Sequence, residues 1–125
     1  MKKAVQIPGA PAPIGPYSQA IMHGNTVYVS GQIPLNPFTG ELEVASIESA
    51  THQIMKNIEA LLKECDMNLT HIVKCSIFMT DLGQFAEMNA VYGSYFKDTP
   101  PARETVQVSK LPMNVPIEIS CIALK

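Results

Sequence analysis

The sequence predicts an α+β domain in which a single sheet carries two helices on one face. Three observations lead there. Apolar residues recur at helical spacing in only two segments. Five further segments read as strands, among them Thr26 to Ser30, rich in β-branched and aromatic residues. Their order along the chain is β-β-α-β-α-β-β, and two helices can cover only one face of such a sheet.

Pro8, Pro11, Pro13 and Pro16 make the first segment extended and non-helical. Tyr17 to Met22 reads as a strand, followed by a tight turn at His23-Gly24-Asn25 and a second strand from Thr26 to Ser30. Gly31 to Gly40, with Pro34, Asn36 and Pro37, is a loop. Ile47, Ala50, Ile54, Ile58, Leu61 and Cys65 then share one helical face behind Ser46, an N-cap residue, so a helix is expected from Ile47 to about Met67. Ile72 to Met79 is the third strand. Asp81 is expected to cap a second helix with the stripe Phe85, Met88, Val91 or Tyr92, and Tyr95, ended by Asp98 to Pro101. Arg103 to Val108 and Pro116 to Leu124 complete the sheet.

The 125 residues fit one domain spanning the whole chain. Only 16% are charged, below the ~25% usual for soluble domains. Ile72, Val73, Cys75, Ile77, Phe78 and Met79 put apolar groups on both faces of one strand, as in sheets buried on both sides. Two helices leave one of those faces uncovered, so a second subunit is expected against it.

Composition disfavours several functions. A net charge of −2, and no basic run beyond Lys2-Lys3, argue against a nucleic-acid partner. No apolar stretch approaches a membrane span and no secretory leader is evident. Cys65, Cys75 and Cys121 are odd in number and scattered with no close pair, which reads as reduced thiols in a cytoplasmic protein. His23, His52 and His71 have no metal-ligand spacing, so no metal is expected. There is no phosphate-binding glycine loop or nucleophile elbow.

Arg103 is the only arginine in the chain. It is either a surface residue in a salt bridge or a planar fork that takes a carboxylate through two parallel hydrogen bonds. Glu118 lies between Ile117 and Ile119 in an apolar strand. It either faces solvent or sits at a cleft edge, where desolvation raises its pKa and lets it handle protons. Ser30 and Gly31 form a simple strand end, or else a hydroxyl and a close backbone N–H facing a ligand. Tyr17 is either core or a pocket wall. Thr105 lies two residues beyond Arg103 and so shares its side of the strand.

Several segments together resemble the RidA (YjgF) family along nearly the whole chain. They are Gly15-Pro16-Tyr17-Ser18-Gln19-Ala20, Val27-Tyr28-Val29-Ser30-Gly31-Gln32-Ile33-Pro34, and Asn57. Val73-Lys74, Asp81, Phe85, Asn89, Tyr92, Tyr95 and Phe96 follow, then Pro100-Pro101-Ala102-Arg103, Leu111-Pro112 and Ile117-Glu118-Ile119. The resemblance implies a chorismate-mutase-like fold that forms a homotrimer with its sheets inward and its active sites between subunits.

It also implies hydrolysis of reactive 2-imino acids and their enamines to 2-keto acids and ammonia, without a cofactor. Arg103 would then clamp the substrate carboxylate, and Glu118 would orient and deprotonate the attacking water. Tyr17 would belong to the wall supplied by a neighbouring subunit. Ser30 would line the pocket, while Gly31 and the region of Thr105 would hold the amine or the water. Many relatives carry cysteine where Thr105 stands, so a thiol function at that position is not expected. Glu64-Cys65-Asp66 replaces a common Ala-Gly pair, which implies a local change at the helix end. Two alternatives remain: a non-catalytic trimer that binds small keto or amino acids to regulate a partner, and RNA cleavage.

Overall fold

The computed structural model describes all residues, 1–125. One six-stranded sheet runs in the order β1-β2-β3-β6-β4-β5. Its strands are β1 (Lys3–Val5), β2 (Ala20–His23), β3 (Thr26–Gln32), β4 (Ile72–Met79), β5 (Ala102–Gln107) and β6 (Ile117–Leu124). Helix α1 (Ile47–Lys63) links β3 to β4, and α2 (Phe85–Ser94) links β4 to β5. The β4–β5 pair is parallel and every other pair is antiparallel. The terminal strand β6 fills the slot between β3 and β4 and is antiparallel to both.

The alternation along β6 is regular. Ile117, Ile119, Cys121 and Ala123 are buried beneath the helices, while Glu118, Ser120, Ile122 and Leu124 face the other way. From α1, Ile54, Met55, Ile58, Leu61 and Leu62 close the core, and from α2 Met88 and Tyr92 do so. Ser46 and Ser49 form a reciprocal cap at the start of α1. Within α1, buried Asn57 donates to the carbonyl of Leu35 at 2.9 Å, which ties the helix to the loop after β3.

Several sequence expectations are corrected. Strand β1 was not anticipated: at three residues on a sheet edge it is too short to show a period. Tyr17 to Gln19 lie outside β2, although they stay tied to β3: the Ser30 amide donates to the Gln19 carbonyl at 2.9 Å and the Ser30 hydroxyl to that of Ser18, while the Gln19 side chain accepts from the Ile7 amide. Helix α1 stops at Lys63 rather than Met67. Asp66 adopts a left-handed conformation (φ 54°) and the Met67 amide returns to the Leu62 carbonyl, which closes the helix end. Asp81 caps a short 3₁₀ turn, Leu82–Gln84, that precedes α2. Cys75 and Cys121, far apart in sequence, are directly opposed across β4 and β6, and both thiols are free.

The face of the sheet away from the helices is uncovered within one chain. A bulge between Ile72 and Lys74 resets β4, so that Cys75, Ile77 and Met79 are buried and Lys74, Ser76 and Phe78 are not. That face is therefore mixed. It exposes Tyr28, Val106 and Leu124, but it also carries Glu104, which accepts from Ser76 and pairs with Lys74 at 3.0 Å.

Candidate functional site

Arg103 sits on β5 opposite Cys75 of β4, so its side chain lies on the helix side of the sheet. Helix α2 receives it. The guanidinium carbon lies 5.5 Å from the centre of the Phe85 ring and 5.0 Å from that of Tyr92. Nη1 donates to Oδ1 of Asn89 at 2.7 Å. Phe85, Asn89 and Tyr92 are spaced i, i+4, i+7 and so share one face of α2. The surface salt-bridge reading of Arg103 does not hold, because the one ion pair in the chain joins Lys74 to Glu104. The guanidinium is held by two rings and a neutral amide, which leaves most of its five N–H donors free for a planar anion.

Beneath this cage, burial and the adjacent Cys75 thiol push the Tyr92 hydroxyl far above its usual range. Burial raises the Cys75 and Cys121 thiols in the same way, so both stay protonated. Thr105 shares the side of β5 that Arg103 occupies, opposite Ile77, but its Oγ1 is buried without a hydrogen-bond partner.

Glu118 belongs to the opposite face. It pairs with Phe78 of β4 on the side away from the helices. Burial raises its carboxyl above the usual range. Here β3 bulges between Val29 and Gln32, and Gly31 lies against the Glu118 side chain. A Cβ on Gly31 would stand 2.3 Å from Oε2 and 2.6 Å from Cδ of Glu118. The glycine thus makes room for the carboxyl, a role not evident from the sequence.

Ser30 is next to it, and its hydroxyl donates to the Ser18 carbonyl at 2.6 Å. That bond anchors the segment carrying Tyr17, which is 57% exposed and borders an open groove of about 400 Å³ with Ala4, Gln6 and Pro13.

The candidate residues therefore fall into two groups. Glu118, Gly31, Ser30 and the Tyr17 segment occupy one side, and Arg103 and Thr105 the other. Arg103 and Glu118 are two strands apart and offset by three residues along β4, a separation of about 14 Å between backbones, with side chains on opposite faces. Phe85, Asn89 and Tyr92 were not singled out for a site from sequence; their helical spacing is the signal that could have found them.

Comparison with known proteins adds the family. A sequence model of the Endoribonuclease L-PSP family matches residues 8–125. The chain belongs to this family, which includes the RidA proteins that its sequence resembles. It is 45% identical over 125 residues to a RutC family protein of Pyrococcus horikoshii, covering 100% of this chain and 99% of that one. It is 43% identical to the chloroplastic Reactive Intermediate Deaminase A of Arabidopsis thaliana over 98% of this chain and 65% of that protein. A crystal structure of a conserved Rid family protein of unknown function from Yersinia pestis superposes with a TM-score of 0.94 at 44% identity, covering 100% of each chain. The mixed sheet with two helices is thus the fold of the Rid family members. No helix is long and apolar enough to cross a membrane.

Proposed function

We propose that this Rid family member is a cytoplasmic deaminase that hydrolyses 2-imino acids, and the enamines in equilibrium with them, to 2-keto acids and ammonia. The substrates fitting this reading are 2-iminopropanoate, its enamine 2-aminoacrylate, and 2-iminobutanoate. The reading assigns the activity to a homotrimer with sites between copies and no cofactor. The observation that carries it is Arg103, caged by Phe85 and Tyr92 yet without a carboxylate partner.

In this mechanism Arg103 grips the substrate carboxylate through its free N–H groups. The protonated imine is already electrophilic at C2, so correct placement of water supplies much of the rate. Glu118, as a carboxylate, takes a proton from that water as its oxygen bonds to C2. The resulting carbinolamine receives the proton back on nitrogen. Glu118, again a carboxylate, then takes the hydroxyl proton as the C–N bond breaks; ammonia departs, the 2-keto acid remains and the proton passes to solvent. Burial raises the Glu118 carboxyl above its ordinary value, which makes it a stronger base toward the attacking water. The Gly31 backbone and the Thr105 region lie beside the amine or water, with Ser30 and Tyr17 completing the wall.

The division of Arg103 and Glu118 between two faces supports a site shared between copies, Arg103 from one and Glu118 from the next. The same uncovered sheet face, bearing Tyr28, Val106 and Leu124, supports the homotrimer. An RNA substrate fits less well, because the chain is acidic and its only arginine lies between two aromatic rings.

The test is a coupled assay in which a pyridoxal-phosphate dehydratase generates imine and semicarbazide traps what remains. The parent should suppress trapping; Arg103→Ala and Glu118→Gln should each fail to do so. Refolding the two variants together at equal amounts should restore about a quarter of parental activity, because one random pairing in four joins an intact Arg103 to an intact Glu118. Parent protein without activity would refute the deaminase. A mixture as inactive as its parts would refute the shared site. An inactive Glu118→Gln that binds keto acid normally beside an equally inactive parent would favour a regulatory binder.

A further inference from the structure

Arg103 has a neutral hydrogen-bond partner on α2 where an acidic one would fit. Asn89 is half-buried and meets Nη1 at 2.7 Å. The acidic residues nearest in sequence are directed elsewhere. Glu104 lies on the opposite face of β5 and is engaged by Ser76 and Lys74. Glu87 stands two residues from both Phe85 and Asn89, and so projects from another side of the helix. We propose that Asn89 is a specificity-determining positioning residue, an uncharged acceptor that aims Arg103 while leaving its positive charge for an anionic ligand. The inference rests on the reading that Arg103 receives the substrate carboxylate.

The argument turns on what each neighbour takes from the guanidinium. The rings of Phe85 and Tyr92 attract its charge but accept no conventional hydrogen bond. Asn89 accepts one N–H and fixes the rotation of the planar group. A fork of two parallel N–H donors remains for a carboxylate.

Aspartate has nearly the shape of asparagine and would keep the same contact. It would also form a charge-assisted pair with Arg103, neutralise it and compete with the ligand for the fork. The amide therefore does what a carboxylate of equal size cannot: it orders the cation without quenching it. The consequence is selectivity for 2-keto or 2-imino acids over uncharged analogues such as the corresponding amides.

Calorimetry on the full-length protein at pH 7 tests this with pyruvate and pyruvamide as probes. The parent should prefer pyruvate. Asn89→Asp should lose about tenfold or more in pyruvate affinity while pyruvamide changes little, which erases the preference. Acidification that protonates the new aspartate should restore it. Asn89→Ser, an uncharged acceptor, should keep the preference even where both affinities fall, and it stands in if Asn89→Asp does not fold. Asn89→Asp binding pyruvate as the parent does would overturn the inference alone. So would an equal loss for both ligands, which marks a merely structural residue, or a lost preference in Asn89→Ser. A parent that binds no keto acid would instead remove the carboxylate reading of Arg103, and this inference with it.

Discussion

Replacing Gly31 by alanine perturbs one side chain and little else. The φ of Gly31 is outside the left-handed region, so alanine meets no backbone strain there. It meets Glu118. The new Cβ would lie 2.3 Å from Oε2, 2.6 Å from Cδ and 3.0 Å from Cγ, whereas ordinary contact begins at 3.4 Å. The carboxyl must therefore retreat by about 1 Å, a misplacement that costs on the order of 10²-fold in rate for a catalytic group. The folding cost should be small, about 1 kcal/mol, because the obstacle is a flexible side chain and not backbone. Two measurements check this. In the imine assay kcat should fall about 10²-fold, with keto-acid affinity within a few-fold of the parent. In urea unfolding, Gly31→Ala should destabilise the parent but not the Glu118→Ala background, where the obstacle is gone. An equal loss of stability in both backgrounds, or full turnover in Gly31→Ala, would refute the idea that this glycine exists to seat the carboxyl.

Four further outcomes follow from the site. Glu118 carries a folded-state pKa raised by burial, so kcat/KM should fall in acid along a limb above the usual carboxylate value of about 4.3, and Glu118→Gln should abolish that limb along with the rate. By linkage, a raised carboxyl binds its proton more tightly in the folded state, and its contribution to stability is lost as pH rises through the folded pKa. Glu118→Gln should accordingly stabilise the chain at neutral pH and not at pH 3, as read by thermal unfolding. Thr105→Val removes a buried hydroxyl without a partner and should add about 1 kcal/mol in urea unfolding; a loss instead would show that Oγ1 has a partner in the assembled protein. Cys75 and Cys121 are buried, with raised thiol pKa values, and should react with a thiol reagent only on unfolding, while Cys121→Ala should retain turnover.

How far the sequence could be read depended on the range of the interaction involved. Strand Ile72–Met79 and the start of α1 after Ser46 are set by local propensity and capping, and both are legible in the sequence. Arg103 stood out by being alone of its kind, and Glu118 by interrupting an apolar strand. What the sequence could not reveal was which face each residue takes relative to strands distant in the chain. The bulge at Val73 changed an apparently two-sided strand into an alternating one. The opposition of Cys75 to Cys121, the fit of Gly31 to Glu118 and the cage of Phe85, Asn89 and Tyr92 around Arg103 all arise from strand register and helix docking. None of these has a period along the sequence.

Under the proposed function, the register also resolves a conflict between the two groups to which that reading assigns the chemistry. A carboxylate clamp must be cationic and uncompensated, whereas a carboxyl whose pKa is to stay raised must be shielded from cations. Had Arg103 and Glu118 been neighbours on one face, the guanidinium would have lowered the carboxyl's pKa and the carboxylate would have filled the fork. Sheet alternation sets them on opposite faces, about 14 Å apart. Glu118 accordingly feels burial and no cation, and Arg103 has aromatic rings and a neutral amide in place of a counter-ion. In the shared site proposed above, the two would meet only across a junction between copies, with a bound carboxylate already neutralising Arg103. On that reading the substrate's own charge would insulate acid–base group from clamp, and the fold would keep each group in its working state until the ligand arrives.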